Sequence, residues 1–389
     1  MNYQNVFKLS NIYQYMKSRL LFISGTAILG LSIIFSLYLT IPQDSGLSPD
    51  LNTQLKKCNT LIYNGPEKVN IVYIGNKDSV IKYSEFFLET PPFNERKKDF
   101  NIYYVDSDPE CRIYKGVAVL CDDATTFSTA GSCPNDVIIA LKNLEDNTIR
   151  SSAYNSLISI NTRHSMTVQT HELGHAISNL AEEYLNNQKP PKNSVNCATT
   201  CADFNGLEDS CDFAGCSLSN LLRPSENSVM RTLSTNDYNK VSTSAISNSL
   251  SKKLSKKSPL TGFVVEDENP CQEEKYFLVT GQLNPEGNLI LEPTLITGCS
   301  QTDISTDKEL TLEVNSQEGY TNTNSINDFI FTDVQYDGED IISGEVLDLD
   351  VFRFTIPSNS EEIVLKDQEG NNIGELILDK SEGTTLCKK

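Results

Sequence analysis

Histidine is nearly missing from this chain, with three in 389 residues. Chemistry that needs more than one imidazole must therefore draw on almost all of them. Two of the three stand four apart in His171-Glu172-Leu173-Gly174-His175. Basic residues are scarce in the last third: residues 259–389 hold 7 Lys and Arg against 27 Asp and Glu, whereas residues 42–258 hold 22 against 25. The formal net charge of −20 therefore belongs to the C-terminal part. Such a balance excludes the basic footprint that phosphate contacts need, so no nucleic-acid partner is expected. The acidity reads instead as a solvated, solubilising surface. Charge of either sign is absent from Leu20 to Gln43, and cysteine is absent before Cys58 although 11 cysteines occur in all. No repeat of fixed period and no low-complexity tract interrupts the chain.

The uncharged stretch is long enough to cross a hydrocarbon core of roughly 30 Å at about 1.5 Å per residue. A cleaved signal peptide would have a shorter apolar core and a small-residue cleavage site. This segment runs through Leu37-Tyr38-Leu39-Thr40-Ile41-Pro42 without one. It reads as an uncleaved signal anchor. Lys8, Lys17 and Arg19 precede it, so the N-terminus is expected in the cytoplasm and everything after Pro42 outside. The expected organisation is a cytoplasmic tail (1–19), a transmembrane anchor (20–41), a polar stalk (42–64), a domain that carries the histidine pair (65–258) and a β-sandwich (259–389), in a single-pass protein of the cell membrane. The cysteines agree, because all lie on the external side, where disulfides form. Their odd number leaves at least one free or paired with another chain. Cys197, Cys201, Cys211 and Cys216 are spaced too irregularly for a structural zinc site and read as two disulfides. Cys111, Cys121 and Cys133 suggest one loop bridge and one partner elsewhere, with Cys58 the candidate.

The runs Val69–Ile74, Phe100–Val105, Val137–Leu141 and Leu157–Ile160 read as buried strands, and residues 79–88 as a helix between the first two. Strands alternating with helices predict an α/β core. After the basic run Ser251–Ser258 the pattern changes to short alternating segments at 276–281, 289–296, 309–314, 329–334, 351–356, 362–365 and 373–378. Close spacing of such strands predicts an all-β, Ig-like sandwich.

On a helix, positions i and i+4 share a face, so His171 and His175 can reach one ion with Glu172 beside it. That is the zinc-peptidase pattern, in which the ion has three protein ligands and keeps one position open. His164 cannot be the third ligand on a continuous helix, because it would lie about 10.5 Å before His171 along the axis. Glu182 and Glu183 remain as candidates. Either can ligate only if the chain turns back after His175, and Ser178-Asn179 can make that turn, since asparagine tolerates the left-handed conformation. Further on, Met230 lies in Arg223-Pro224-Ser225-Glu226-Asn227-Ser228-Val229-Met230-Arg231, spaced from the histidines as a Met-turn would be. Tyr184 and Tyr238 are the nearby hydroxyls that an oxyanion could use; neither is assigned.

The segment His171–Tyr184 resembles the zinc helix of the IgA-peptidase family of metzincin-like metallopeptidases, and Arg223–Arg231 is similar to that family's second signature. Thr90–Phe93 through Phe100–Tyr103 resembles its N-terminal strand region. The likeness spans roughly residues 65–240. It departs from the family at Ser178-Asn179, where glycines are usual, and at Glu182, where aspartate is usual. The resemblance implies a metzincin-like mixed sheet with an active-site helix, a Zn2+ ion on His171, His175 and Glu182, Glu172 as general base, and a protein or peptide substrate. A surface binding protein on a peptidase-like scaffold is the other class of function the sequence permits. The number of subunits stays open.

Overall fold

The computed structural model describes residues 56–154, 156–191, 193–210 and 213–257, and in the C-terminal third 274–283, 289–300, 311–316, 329–332, 335–337, 340–343, 346–348, 351–366 and 371–378. The expected anchor at 20–41 lies outside these residues. No helix among the described residues is long and apolar enough to cross a membrane.

The chain begins with β1 (Asn59–Ile62) and β2 (Val69–Ile74), then α1 (Lys77–Glu89), β3 (Phe100–Val105), β4 (Cys111–Tyr114), β5 (Ala118–Cys121) and α2 (Asp123–Ala130). It continues through β6 (Val137–Lys142), β7 (Ser152–Tyr154), β8 (Leu157–Asn161), α3 (Thr167–Ser178), β9 (Ala214–Cys216), β10 (Leu218–Leu222) and α4 (Lys240–Lys256). Strands β2, β3, β6 and β8 are parallel neighbours, and their nearly continuous apolar runs suit a sheet covered on both faces. β1 pairs with β3 and β7 with β8, both antiparallel, so the sheet is mixed.

Alternation along each strand sorts the core into two layers. Ile71, Tyr73, Ile102, Ile139 and Ile158 pack with α1, α3 and α4 on one face, through Phe87, Leu173, Ile177, Ile246 and Leu250. Val72, Ile74, Val105, Ile138 and Leu157 pack on the other face with Phe127 and Ala130 of α2. The helices start where side-chain oxygens can cap them. Asn76 accepts from Ser79 N, Asp122 from Thr125 N and Asn239 from Ser242 N.

The elements described in the C-terminal third are all strands: β11 (Lys275–Leu283), β12 (Leu289–Thr297), β13 (Thr311–Ser316), β14 (Phe329–Thr332), β15 (Gln335–Asp337), β16 (Asp340–Ser343), β17 (Val346–Asp348), β18 (Val351–Pro357), β19 (Ser360–Lys366) and β20 (Asn372–Ile377). Two three-stranded antiparallel sheets, β12-β11-β18 and β13-β19-β20, share one apolar cluster of Phe277, Val279, Phe354, Ile356, Ile363, Leu365 and Leu376. This part does more than form its own core. β14 pairs with β7 and β17 with β14, which extends the first sheet to eight strands. Tyr276, Leu278 and Ile296 join the Phe127 face of that sheet. Arg353 is buried between the rings of Phe127 and Tyr154, ion-pairs with Asp123 and donates to Tyr154 O at 3.1 Å. At the same seam Cys299 N donates to Gly131 O at 2.8 Å. A Cβ on Gly298 would meet the Gly131 backbone, and its φ of +133° also favours glycine.

Three disulfides join Cys58 to Cys133, Cys111 to Cys121 and Cys197 to Cys216. Cys201 and Cys299 are also disulfide-bonded. Cys58 thus holds the chain entry to the loop after α2, and Cys111–Cys121 closes the β4–β5 hairpin.

Candidate metal centre

Helix α3 carries the histidines and stops three residues after His175. Asn179 takes φ 53° and ψ 37°, the left-handed conformation, and its N–H reaches back to the carbonyls of Gly174 and His175. Leu180 N donates to Gly174 O at 3.3 Å. This is the helix-ending turn that a C-cap asparagine supports. It reverses the chain, so Glu182 returns to the histidines instead of lying a further two turns along an axis.

The three side chains converge. His171 Nε2 lies 3.1 Å from His175 Nε2, 3.2 Å from Glu182 Oε2, and His175 Nε2 lies 3.3 Å from Glu182 Oε1. All three residues are buried. His171 Nδ1 is 2.8 Å from Val229 O, and His175 Nδ1 is 2.6 Å from Leu180 O. A carbonyl only accepts, so each Nδ1 must carry the proton and each neutral ring turns a bare Nε2 lone pair inward. Two lone pairs and a carboxylate facing one point repel unless a metal ion or a proton lies between them. A tetrahedral ion with bonds of about 2.0–2.1 Å has ligand–ligand edges of about 3.3 Å, close to the contacts seen here. Among the described residues, neither Glu182 oxygen has a hydrogen-bond donor beyond these imidazoles. The group could therefore hold a metal ion, and two imidazoles with one carboxylate suit a divalent transition metal.

Without a metal the site holds one proton. Burial works against charge on His171, but the Glu182 carboxylate and then Glu172 outweigh it and push its pKa up to about 10. Burial keeps His175 below its ordinary value, helped by the positive His171, although Glu182 pulls the other way. Burial alone would raise Glu182; the two imidazoles reverse this and lower it to about 2.

Glu183 faces away from Glu182. The Glu183 carboxylate accepts from Asn196 Nδ2 at 3.0 Å, Asn239 Nδ2 at 2.8 Å, Ser242 Oγ at 3.3 Å and Ser228 Oγ. Its own N–H donates to Met230 O at 2.9 Å. Burial still raises its pKa against these four bonds. Of the two sequence candidates, then, Glu182 meets the histidines and Glu183 ties the post-helix segment to the Met230 turn and to the start of α4.

No protein-family model matches the chain, and no curated protein matches it. What the site can do therefore follows from its own geometry. Glu172 is wholly buried next to His171, close enough to raise that imidazole's pKa. Met230 is wholly buried beneath α3, and a Cβ added to Gly174 would lie 2.5 Å from its sulfur. The glycine in the five-residue motif is thus the place where the Met230 turn presses on the helix. His164 is elsewhere, in the turn before α3, with Nε2 2.9 Å from Asn147 O. Tyr238 OH donates to Thr170 O and so pins α3, and its ring packs edge-on to Phe93. Tyr184 is buried and its carbonyl accepts from Ser217 N at 2.9 Å.

Sequence reasoning missed the supporting residues. The Val229 and Leu180 carbonyls orient the imidazoles, and no side-chain motif encodes a carbonyl. Asn196 and Ser217 flank the cysteine-rich loop, where only the cysteines drew notice. Nothing local distinguished Glu183 from Glu182, because the side chains that bind Glu183 come from positions 196, 228, 239 and 242.

Proposed function

We propose that this protein is a zinc metalloendopeptidase of the metzincin-like type, anchored in the cell membrane by residues 20–41 with its catalytic part outside. The observation that carries the reading is the convergence of His171, His175 and Glu182, with Glu172 next to the first ligand and a buried methionine under the helix. The mixed sheet with α3 against it is compatible with the metzincin architecture, and the paired C-terminal sheets with an accessory β-sandwich.

In this reading His171, His175 and Glu182 hold the ion. A zinc ion held there would lower the pKa of a bound water toward about 7 and would supply Lewis-acid polarisation of a carbonyl. Val229 O and Leu180 O fix the two rings so that Nε2 faces inward, which also raises their basicity as ligands. Glu172 takes the proton from the attacking water and passes it to the leaving amine. The test is cleavage of a peptide library by the purified protein, by the same protein after chelation, and after zinc is restored. Activity that is lost and regained with zinc supports the reading; activity indifferent to the metal rejects it. Orientation is tested by adding protease to intact cells, which should cut residues after Pro42 and spare residues 1–19.

A further inference from the structure

Glu182 stands outside any helix or strand, so something other than α3 must hold it in place. The segment 181–184 is gripped from one side by a single loop. The Asn196 amide makes a two-point pair with Ala181, accepting from Ala181 N at 2.8 Å and donating to Ala181 O at 2.8 Å. Ser217 Oγ donates to Glu182 O at 2.9 Å, and Ser217 N donates to Tyr184 O at 2.9 Å. Asn196 and Ser217 each neighbour one end of the Cys197–Cys216 disulfide. Its sulfurs lie 3.5 and 3.7 Å from Glu182 O, and Cys216 Sγ lies 3.2 Å from Asn196 O. The bridge therefore closes a clamp whose two jaws hold the residues on either side of the carboxylate that faces the histidines. Cys216 is wholly buried, whereas Cys197 is half-buried, so Cys197 is the less covered end of the bridge.

We propose that the Cys197–Cys216 disulfide gates the metal site: closed, it holds Glu182 on the histidines; opened, it frees the segment and the ion loses its third ligand. This rests on reading His171, His175 and Glu182 as metal ligands. The opening step is thiol–disulfide exchange with a dithiol. One thiolate of the dithiol attacks Cys197 Sγ, Cys216 leaves as a thiolate and takes a proton, and the second thiol resolves the mixed disulfide. The products are two cysteine thiols on the chain and the oxidised, disulfide form of the reagent. Asn196 is a positioning residue that acts through Ala181.

The test measures zinc affinity of the full chain by competition with a chelating indicator, and the visible spectrum of the cobalt-substituted protein. The variants are Cys197→Ser with Cys216→Ser, Asn196→Ala, and the control pair Cys111→Ser with Cys121→Ser. The clamp variants should bind zinc about 10- to 100-fold more weakly, the range seen when groups that orient a metal ligand are removed. Their cobalt spectra should move toward that of Glu182→Ala, and the control pair should match the parent. The decisive comparison is in the Glu182→Ala background, where opening the clamp should have no further effect. An equal fall in both backgrounds would mean general loosening and would overturn the proposal, as would unchanged affinity in the clamp variants. If the serine pair does not fold, Asn196→Ala, which opens the clamp with every disulfide intact, carries the same comparison. A parent that binds no zinc would instead defeat the metal reading itself.

Discussion

Replacing Gly174 by alanine sets two opposed effects against each other, and the sign of the result reports on the packing under the metal helix. In an unencumbered helix interior, alanine is better than glycine by about 1 kcal/mol. Here the new Cβ would lie 2.5 Å from Met230 Sδ, 3.1 Å from Tyr238 Cε1 and 3.2 Å from Leu180 Cδ1. Ordinary contact would need the sulfur to retreat by roughly 1 Å within a close-packed core. Met230 and Leu180 are wholly buried and Tyr238 nearly so, and the Tyr238 hydroxyl is tied to Thr170 O. Overpacking of this kind costs about 1–3 kcal/mol, and three simultaneous contacts place it toward the upper end. The expected net effect is a loss of about 1–2 kcal/mol. Urea unfolding at fixed zinc concentration measures it. Met230→Ala alone should cost about 2–5 kcal/mol, but in that background Gly174→Ala should become stabilising by about 1 kcal/mol. The cycle would then show a coupling of about 2–3 kcal/mol. Stabilisation by Gly174→Ala in the parent itself would refute the claim that the Met230 turn bears on the helix.

Three further outcomes follow from the site. Glu182→Ala should weaken zinc binding to the measurable level that the two histidines alone provide, with a folded chain, whereas Glu183→Ala should cost about 3–5 kcal/mol of stability by orphaning four buried donors; calorimetric titration and chemical unfolding separate the two. His171 is raised to about 10, so its proton is still bound in the metal-free protein at neutral pH and must leave when metal enters. Apparent metal affinity should therefore climb about tenfold per pH unit from 7 to 8.5, whereas an imidazole of ordinary pKa would give a plateau above about pH 7.5. For the chelated protein the signs differ by group: the His171 contribution is complete below about pH 6.5 and fades as pH rises through about 10, and the Glu182 contribution is complete above about pH 4.5 and fades as pH falls through about 2. Its thermal stability should be best between those limits, and zinc at 100 times its dissociation constant should add about 2.7 kcal/mol.

The strands were the most legible part of the fold. Val69–Ile74 and Phe100–Val105 form with the expected bounds because parallel strands covered on both faces are near-continuous apolar runs. The pairing of β14 with β7 could not be read. It joins segments nearly 180 residues apart, and a short strand carries no mark of its partner. Buried Arg353 would have been placed on the surface; only its neighbours Asp123, Phe127 and Tyr154, all remote in sequence, account for its burial. In the site, the histidine pair was legible from spacing and the turn from Asn179. The choice between Glu182 and Glu183 depended on where the chain goes after the turn, and that is set by Asn196, Ser217 and Met230, which no local pattern ties to it.

The central claim is that Glu172 moves the proton in hydrolysis at an ion held by its neighbours. It is tested most directly by Glu172→Gln, with zinc content and peptide cleavage measured on the same preparation. The account predicts one zinc per chain in both proteins and a fall in cleavage of at least about 100-fold in the variant. Full cleavage by the zinc-loaded variant would contradict it.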